Sequence, residues 1–468
     1  MSPEPNGLTE LDRRRALTHA VHLIERTWES FDHARPAQPE VDEDVQALLA
    51  TSLPSDGIDP IEALNETDTI LDQSVSSPRP RFFAFVGSSG LEMGVLADAL
   101  AASHDVNLAL EAGAANLVEE QALAWIAELI DYPGRFGSFT SGGMLSNLTA
   151  LTVARQRALP DSRTDGVTGD VAIYVSKDTH SSVARAVEIL GIGSNSLRTI
   201  PLTDDRKMDV AGLRRAVESD VALGITPIAI VASAGTTLAG VVDPIKEIAE
   251  VAINNNIWLH VDGAYGLPAA AVPDAHHHFA GLEHADSITI DAHKWLFLPK
   301  PCGVLLVKDK TALTAAFSHD ASYIPEDLCD VNPVEWTLEY SRPLRALKAW
   351  LALRSYGANS FRTAISRNLE QAQLCATLVK NEPQLTLLQE PQLSVVLFRH
   401  LPQAGDVNEH NMRLADTLRS DGRVYIVGAK VDEQDWLRAC FVNYRTADDD
   451  VHFLIDVVKE VGEQIEQS

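Results

Sequence analysis

The feature that most constrains the fold is an alternation of short apolar, β-branched runs with helix-length segments through the middle of the chain. The runs predict strands, and segments such as 244–255 between them predict helices. This order favours a largely parallel sheet with helices on both faces. Reactive groups in such sheets lie beyond the carboxyl ends of the strands. The candidate site residues are therefore those that follow the predicted strands at 171–175, 228–232, 257–261, 287–290 and 303–307.

The two ends of the chain have a different character from this central region. Residues 8–28 carry apolar side chains at helical spacing, and the proline-containing stretches after them predict an arm rather than a packed domain. A long helix near 345–356 leads into a C-terminal region with predicted strands at 393–398, 424–427 and 437–442. The predicted organisation is an N-terminal helical arm, a large domain and a small C-terminal domain, at 1–85, 86–350 and 351–468.

The strongest chemical signal is Lys294, in the segment Asp-Ala-His-Lys-Trp that follows the strand predicted at 287–290. A lysine is a poor structural choice at a strand end, because its ammonium must be solvated or paired. It suits covalent bonding to an aldehyde cofactor, since burial lowers the pKa of the amine and frees it as a nucleophile. A lysine without supporting residues would be an ordinary surface residue, so the interpretation depends on its neighbours.

Two other strand ends supply groups that a pyridoxal cofactor needs. Asp262 ends the apolar strand predicted at 257–261, where a carboxylate can pair with a protonated pyridine nitrogen. An aspartate that caps the next helix is an equally simple explanation. His180 follows the strand at 171–175 and offers a ring for stacking, although a histidine there is more often an ordinary loop residue.

Small and hydroxyl-bearing residues provide a candidate phosphate cradle. Ser141, Gly142 and Gly143 precede the helical run at 148–155. Glycines let main-chain N–H groups approach an anion, and a helix N-terminus favours negative charge. Such a turn is also common as a plain helix cap. Thr237, after the strand at 228–232, can reach the substituents of a cofactor ring.

With these motifs the chain resembles the group II pyridoxal-phosphate-dependent decarboxylases, which include aromatic-L-amino-acid and glutamate decarboxylases. The resemblance rests on Asp-Ala-His-Lys-Trp at 291–295 and His-Val-Asp-Gly-Ala-Tyr-Gly at 260–266, and it extends from about 81 to 443. It implies the α/β fold of type I aminotransferases, with a mostly parallel seven-stranded sheet in the large domain and a smaller α+β C-terminal domain. It also implies a homodimer with active sites at the subunit interface.

The resemblance assigns roles to individual residues. It implies that Lys294 carries pyridoxal 5′-phosphate covalently, that Asp262 pairs with the pyridine nitrogen and that His180 stacks on the ring. The other implied cofactor contacts are Ser141, Gly142, Gly143, Thr237, Asp291 and His293.

Less specific similarities concern the substrate. Tyr323 is similar to a mobile-loop tyrosine that returns a proton to the substrate carbon, although a tyrosine packed in a crevice is an equal alternative. Arg438 resembles an arginine near the substrate carboxylate, but it could instead pair with a surface acid. Phe85 and Ser88 correspond to the substrate pocket. Small or polar residues there and at 107–110 replace bulkier family residues, which leaves the substrate side chain open.

The predicted function is pyridoxal-phosphate-dependent decarboxylation of an L-amino acid, with an aromatic side chain, to the amine and CO₂. Three alternatives stay open. The substrate could be an acidic or diamino L-amino acid, or the product could be an aldehyde from oxidative deamination on the same scaffold. A non-catalytic protein that binds the cofactor is the third.

Charge and composition limit the partners. The chain has 38 basic and 66 acidic residues and a net charge of −28, which argues against nucleic acid and anionic membranes as partners. There is no apolar run of about 18–20 residues, no signal-peptide pattern and no cysteine spacing typical of disulfides, so a cytoplasmic location is expected. The histidines at 276–278 are interpreted as a solvated loop, and no metal site is predicted.

Overall fold

The computed structural model describes residues 7–31, 40–319 and 332–467. Within these ranges the strands are β1 (Phe136–Thr140), β2 (Val171–Ser176), β3 (Leu197–Ile200), β4 (Thr226–Ser233), β5 (Trp258–Asp262), β6 (Ser287–Asp291), β7 (Gly303–Val307), β8 (Leu385–Leu387), β9 (Val395–His400), β10 (Val427–Val431) and β11 (Gln434–Cys440).

The helices of the same ranges begin with five that precede the first strand, and most of the others lie between strands. They are α1 (Glu10–Phe31), α2 (Glu43–Leu49), α3 (Pro60–Asp72), α4 (Glu92–His104), α5 (Ala114–Leu129), α6 (Gly143–Ala158), α7 (Ser162–Asp165), α8 (Ser181–Ile189), α9 (Val210–Ala222), α10 (Ile245–Asn254), α11 (Pro273–His276), α12 (Lys310–Phe317), α13 (Ala346–Asn381), α14 (Val407–Asp421) and α15 (Asp448–Gln467).

The large sheet has the order β1-β7-β6-β5-β4-β2-β3, seven strands in the described part of the chain. Neighbours from β3 to β6 are parallel, and β7 runs antiparallel to both β6 and β1. The predicted mostly parallel seven-stranded sheet is confirmed, and so are the five central strands. These strands are buried on both faces, which explains their near-continuous apolar sequences.

Two strands of this sheet have sequences that do not predict them. β1 contains Gly137, a residue that weakens strands, but a Cβ at this position would lie 1.9 Å from the carbonyl oxygen of Leu305 in β7. The close approach of the two backbones therefore requires glycine. β3 is a four-residue edge strand whose Leu197 and Arg198 are only half-buried, so its apolar pattern is weak.

The turn after β6 is anchored by a buried tryptophan, Trp295. Trp295 is fully buried, stacks on Tyr265 with ring centroids 5.3 Å apart, and donates its indole N–H to Asn368 of α13 at 3.0 Å. This packing fixes the backbone next to Lys294. The long helix predicted near 345–356 is the first part of α13, which changes direction at Gly357, where φ is 74°.

The smaller C-terminal domain carries an antiparallel sheet of order β10-β11-β9-β8 in the described residues. α14 and α15 cover it, with an apolar core that includes Leu414, Leu418, Leu454 and Val458. The strand predicted at 424–427 begins only at Val427, because Tyr425 instead bridges to Phe82 near the N-terminal arm. Among the helices that the structure describes, none is both long enough and apolar enough to cross a membrane.

Candidate active site

A pocket lies at the carboxyl ends of the parallel strands. Ser233, Asp262 and Asp291 are the last residues of β4, β5 and β6, so the sheet delivers their side chains to one edge. Residues from the start of α6 also line the pocket. Six of the residues predicted from the sequence line it: Gly143, His180, Thr237, Asp262, Asp291 and Lys294.

Lys294 lines this pocket and pairs with Asp291, the acid three residues before it. Its Nζ is 2.9 Å from Oδ2 of Asp291, and its side chain is 21% exposed. The other carboxylate oxygen, Oδ1 of Asp291, is buried and has no hydrogen-bond partner within the described chain. Asp291 therefore fixes the position of the Lys294 amine, and the amine remains accessible from the pocket.

Asp262 is fixed by two hydrogen bonds at the end of β5. Its Oδ1 accepts from the main-chain N–H of Ala264 at 3.1 Å, and its Oδ2 accepts from the side-chain amide of Asn147 at 2.8 Å. The side chain is 8% exposed. A carboxylate held in this way is available to a cationic ring nitrogen in the pocket.

A buried chain of hydrogen bonds, here called the His260 network, supports Asn147 from behind. Oδ1 of Asn147 lies 3.0 Å from Nε2 of His260, whose Nδ1 lies 2.8 Å from Oγ of Ser287. The indole N–H of Trp258 donates to the same Oγ at 2.8 Å. Burial lowers the pKa of His260 to about 4, so the ring is neutral. These partners assign its proton to Nε2, which donates to Asn147.

Sequence reasoning missed the four residues of the His260 network. His260 and Asp262 are two residues apart on β5, so they share a face of the sheet. That period, together with the polar character of His260 inside an apolar strand, is the signal that could have found it. Asn147 gives a comparable signal, because it lies one helical turn after Gly143.

The N-terminus of α6 borders the pocket and depends on glycine. A Cβ at Gly143 would lie 3.1 Å from both Cβ of Ala264 and Oδ2 of Asp291, and a Cβ at Gly142 would lie 3.5 Å from Cε1 of His293. Small residues here let the helix end approach β5 and β6. An anion at this position meets main-chain N–H groups and the positive end of the helix dipole.

Three predicted cradle residues do not line the pocket itself. Ser141 is exposed, and Gly142 lies between it and the pocket, next to His293. Nδ1 of His293 is 3.1 Å from the carbonyl oxygen of Cys302, and its Nε2 is 3.8 Å from Oδ2 of Asp291. Burial lowers the pKa of this histidine.

His180 is the N-cap of α8, and its ring is held from one side. Nδ1 accepts from the main-chain N–H of Ser182 at 3.2 Å and contacts the hydroxyl of the same residue at 2.8 Å. The residue is exposed, so its ring is accessible from the pocket.

The predicted substrate residues lie outside the pocket lining. Arg438 is buried, and its guanidinium donates to the carbonyl oxygens of Thr237 at 2.6 Å and Phe85 at 2.6 Å. Phe85 is 57% exposed with φ at +56°, and the hydroxyl of Ser88 donates to the carbonyl of Leu298 at 2.9 Å. Arg438 thus ties together two loops beside the pocket. Tyr323 lies outside the described residues.

Comparison with known proteins decides the family. The conserved domain of pyridoxal-dependent decarboxylases matches residues 43–401. The chain belongs to this family. It is therefore a pyridoxal-phosphate-dependent carboxy-lyase that acts on a small-molecule amino acid.

Individual members of the family resemble most of the chain. An aromatic-L-amino-acid decarboxylase of Bacillus atrophaeus is 31% identical over 445 residues, 92% of each chain. An L-2,4-diaminobutyrate decarboxylase of Rhizobium meliloti is 35% identical over 360 residues, 75% of this chain and 71% of that protein. The crystal structure of Catharanthus roseus tryptophan decarboxylase in complex with L-tryptophan superposes with a TM-score of 0.90 at 26% identity, covering 98% of this chain and 100% of that one.

The pocket residues fit the family's cofactor on structural grounds. A primary amine, a carboxylate fixed by two donors and the N-terminus of a long helix border the same cavity. These are the groups needed for an aldehyde, a pyridinium nitrogen and a phosphate. Since Gly143 has no side chain, the helix end remains open to the anion.

Proposed function

We propose that this decarboxylase converts an aromatic L-amino acid to the corresponding amine and CO₂. The observation that carries the catalytic part of the proposal is that the Lys294 amine and the Asp262 carboxylate border one pocket. The aromatic substrate class rests on the relatives, because the Bacillus atrophaeus enzyme named for aromatic amino acids matches 92% of this chain.

The proposed roles follow from the chemistry of each side chain. Lys294 binds the cofactor covalently, and Asp262 holds a proton on its ring nitrogen. When bound, pyridoxal 5′-phosphate supplies an electron sink for the electron pair released by the departing carboxylate. His180 packs against the ring face. Gly143 and the N-terminus of α6 receive the phosphate, with Ser141, Gly142, Thr237, Asp291 and His293 beside them.

The substrate side of the proposal involves the loops that Arg438 connects. Arg438 positions these loops through its main-chain hydrogen bonds, and its positive charge beside the pocket attracts the substrate carboxylate. Phe85 and Ser88 contribute to the wall around the substrate side chain. Tyr323 returns the proton to the substrate carbon, a role taken from its similarity to the family's loop tyrosine.

We further propose a homodimer with the active site at the subunit interface. Large apolar side chains are exposed on three helices, and a second copy of the chain is the partner that would bury them. They are Leu11, Leu17 and Val21 of α1, Leu96 and Leu100 of α4, and Leu117 of α5. Light scattering of the purified protein tests this: a mass of two chains is expected, and a mass of one chain contradicts it.

The decisive test of the substrate is product analysis over a panel of L-amino acids, with pyridoxal 5′-phosphate supplied. We expect the largest kcat/KM for tryptophan, tyrosine, phenylalanine or a hydroxylated derivative, with one amine formed for each CO₂. Preference for an acidic substrate contradicts the aromatic assignment. Formation of aldehyde, ammonia and hydrogen peroxide in place of the amine contradicts the reaction type.

A second substrate class has specific support. The Rhizobium meliloti enzyme, named for L-2,4-diaminobutyrate, has the higher identity of the two relatives, although over less of the chain. The panel therefore includes L-2,4-diaminobutyrate. A kcat/KM for this compound above that of every aromatic amino acid replaces the aromatic proposal with this one and leaves the roles of Lys294 and Asp262 intact.

A further inference from the structure

A pair of buried histidines lies in the small domain, outside the pocket described above. His400 is the last residue of β9, and His410 lies in the first turn of α14. Their rings stack with centroids 4.9 Å apart and planes inclined by 29°. His400 is completely buried and His410 is 7% exposed.

These two rings lack the hydrogen bonds that buried polar groups normally make. Nδ1 and Nε2 of His400, and Nε2 of His410, have no partner within the described chain. Buried nitrogen atoms are nearly always paired, because an unpaired one has lost its hydration without compensation. Three such atoms in neighbouring rings indicate that this place is built for a ligand from outside the chain.

Glu466 brings a carboxylate to the same place from the last turn of α15. Its Oε1 lies 3.8 Å from Nδ1 of His400, and one ligand atom from each of the three side chains lies within 4.8 Å of the other two. Its Oε2 accepts from the main-chain N–H of Gln403 at 3.3 Å, which orients the carboxylate. Within the described residues, this is the one group of three or more histidine, cysteine or acidic side chains whose ligand atoms come this close together.

The helix that carries Glu466 is shaped to admit the His400 ring. A Cβ at Gly462 would lie 2.8 Å from both Cδ2 and Nε2 of His400. Glycine weakens the interior of a helix compared with alanine. α15 thus has a helix-weakening glycine, Gly462, at the position where the His400 ring packs against it. With the ring in this position, Nδ1 of His400 faces Glu466.

We propose that His400, His410 and Glu466 bind a divalent transition-metal ion, with Zn²⁺ as the best match. Two imidazoles and one carboxylate form a ligand set typical of zinc, with nitrogen and oxygen ligands at about 2.0–2.2 Å. Ligands of a tetrahedral ion at these distances are roughly 3.4 Å apart. The three ligand atoms lie within 4.8 Å of one another, so the side chains must close around the ion when it binds. The ion joins the end of α15 to β9 and α14, outside the active-site pocket, and a water molecule supplies its fourth ligand.

The chemistry of the site favours a metal over an ion pair. Neutral imidazole is the form that binds a metal, and neither ring nitrogen of His400 has a hydrogen-bond partner within the described residues. A single carboxylate partly compensates the charge of a divalent cation.

The test uses the untagged protein loaded with pyridoxal 5′-phosphate and freed of metal with a chelator. Zn²⁺ is titrated calorimetrically, and Co²⁺ is added separately to record its visible d–d absorption. We expect one high-affinity ion per chain, a tetrahedral cobalt spectrum and a rise in unfolding temperature with zinc. The His410→Gln variant should bind at least about 100-fold more weakly, whereas the His277→Gln control, in an exposed histidine run, should bind like the unmodified protein.

A second variant keeps the test decisive if His410→Gln does not fold. Glu466 lies at the end of the last helix, so Glu466→Gln should fold and unfold normally without metal and lose the zinc-dependent rise in unfolding temperature. Failure of the unmodified protein to bind Zn²⁺ or Co²⁺ overturns the proposal. So does binding by Glu466→Gln with the same affinity and the same cobalt spectrum.

Discussion

Two buried histidines of this chain are in opposite situations. His260 of β5 uses both ring nitrogens, one toward Asn147 and one toward Ser287. His400 of β9 uses neither within the described residues. The comparison shows that the first ring is committed to holding a neighbour in place, while the second is left open to a ligand.

Two carboxylates of the pocket, Asp262 and Asp291, differ in the same way. Asp262 has both oxygens bonded by the chain, and this fixes the direction of the carboxylate before any ligand arrives. Asp291 has one buried oxygen without a partner, beside the amine that it holds. Preorganised groups of the first kind act on a ligand without reorganising, whereas groups of the second kind change their partners when a ligand binds.

The largest expected effect comes from removing the charge that the His260 network positions. Asp262→Asn keeps the shape but loses the anion, so we expect kcat/KM to fall by about 10²–10³-fold and pyridoxal 5′-phosphate to dissociate more readily. Steady-state kinetics and cofactor titration measure both effects. Asp286→Asn is the matched control, because Asp286 accepts from the main chain of Leu259 away from the pocket. Equal activity in the two variants contradicts the role of Asp262.

The decrease of the unfolding free energy at acid pH should show that the folded protein keeps the His260 ring neutral. Its pKa in the folded protein, about 4, is below the ordinary value of 6.5, because burial penalises the charged ring. The unfolded chain therefore takes up a proton first, and stability falls as the pH drops from about 6.5 to 4, by on the order of 3 kcal/mol.

Urea unfolding at several pH values in this window measures the effect. His260→Gln should flatten the decline in unfolding free energy, whereas His277→Gln, at an exposed position, should leave it unchanged. A His260→Gln protein that loses stability as steeply as the unmodified chain shows that this ring does not resist protonation.

Removing the link between His260 and Asp262 should have a smaller effect on stability. Asn147→Leu removes the amide that donates to Oδ2 of Asp262 and leaves Nε2 of His260 with only the hydroxyl of Thr289, at 3.4 Å. We expect the unfolding free energy to fall by about 1–3 kcal/mol. Cofactor affinity should fall as well, because Asp262 is no longer oriented. Thr149→Val in the same helix removes only a hydroxyl bonded to its own backbone, and it should change both quantities little.

The smallest effect is expected at the unpaired ring. In metal-free protein, His400→Leu removes two buried nitrogens that have no partner, so the unfolding free energy should stay within about 1 kcal/mol of its value or rise. Urea unfolding in the presence of a chelator measures this. A loss comparable to that of Asn147→Leu shows that the His400 nitrogens have partners after all.

Much of this fold could be predicted because its central strands are buried on both faces and read as apolar, β-branched runs. β1 could not be predicted, because it contains Gly137, which has a low strand propensity. That glycine is required by the close approach of β7, which the local sequence does not show. β10 was predicted too early in the chain, because Tyr425 before it bridges to Phe82 and not to a strand of the small sheet.

The candidate site divides in the same way. Lys294, Asp262 and His180 follow strands, and a parallel sheet brings strand ends together, so sequence order was enough to group them. The His260 network depends on which side chains meet beneath that edge, and only the period of β5 indicates it. His400, His410 and Glu466 come from three elements whose packing no local pattern predicts.

The most direct test of the account is to reduce the protein loaded with pyridoxal 5′-phosphate with borohydride and map the modified lysine by mass spectrometry. Lys300 is the natural rival, because it lies six positions away and burial lowers the pKa of its amine. We expect the adduct on Lys294, with the visible cofactor absorption lost in Lys294→Ala and kept in Lys300→Arg. An adduct on another lysine, or the same absorption in Lys294→Ala, contradicts the account.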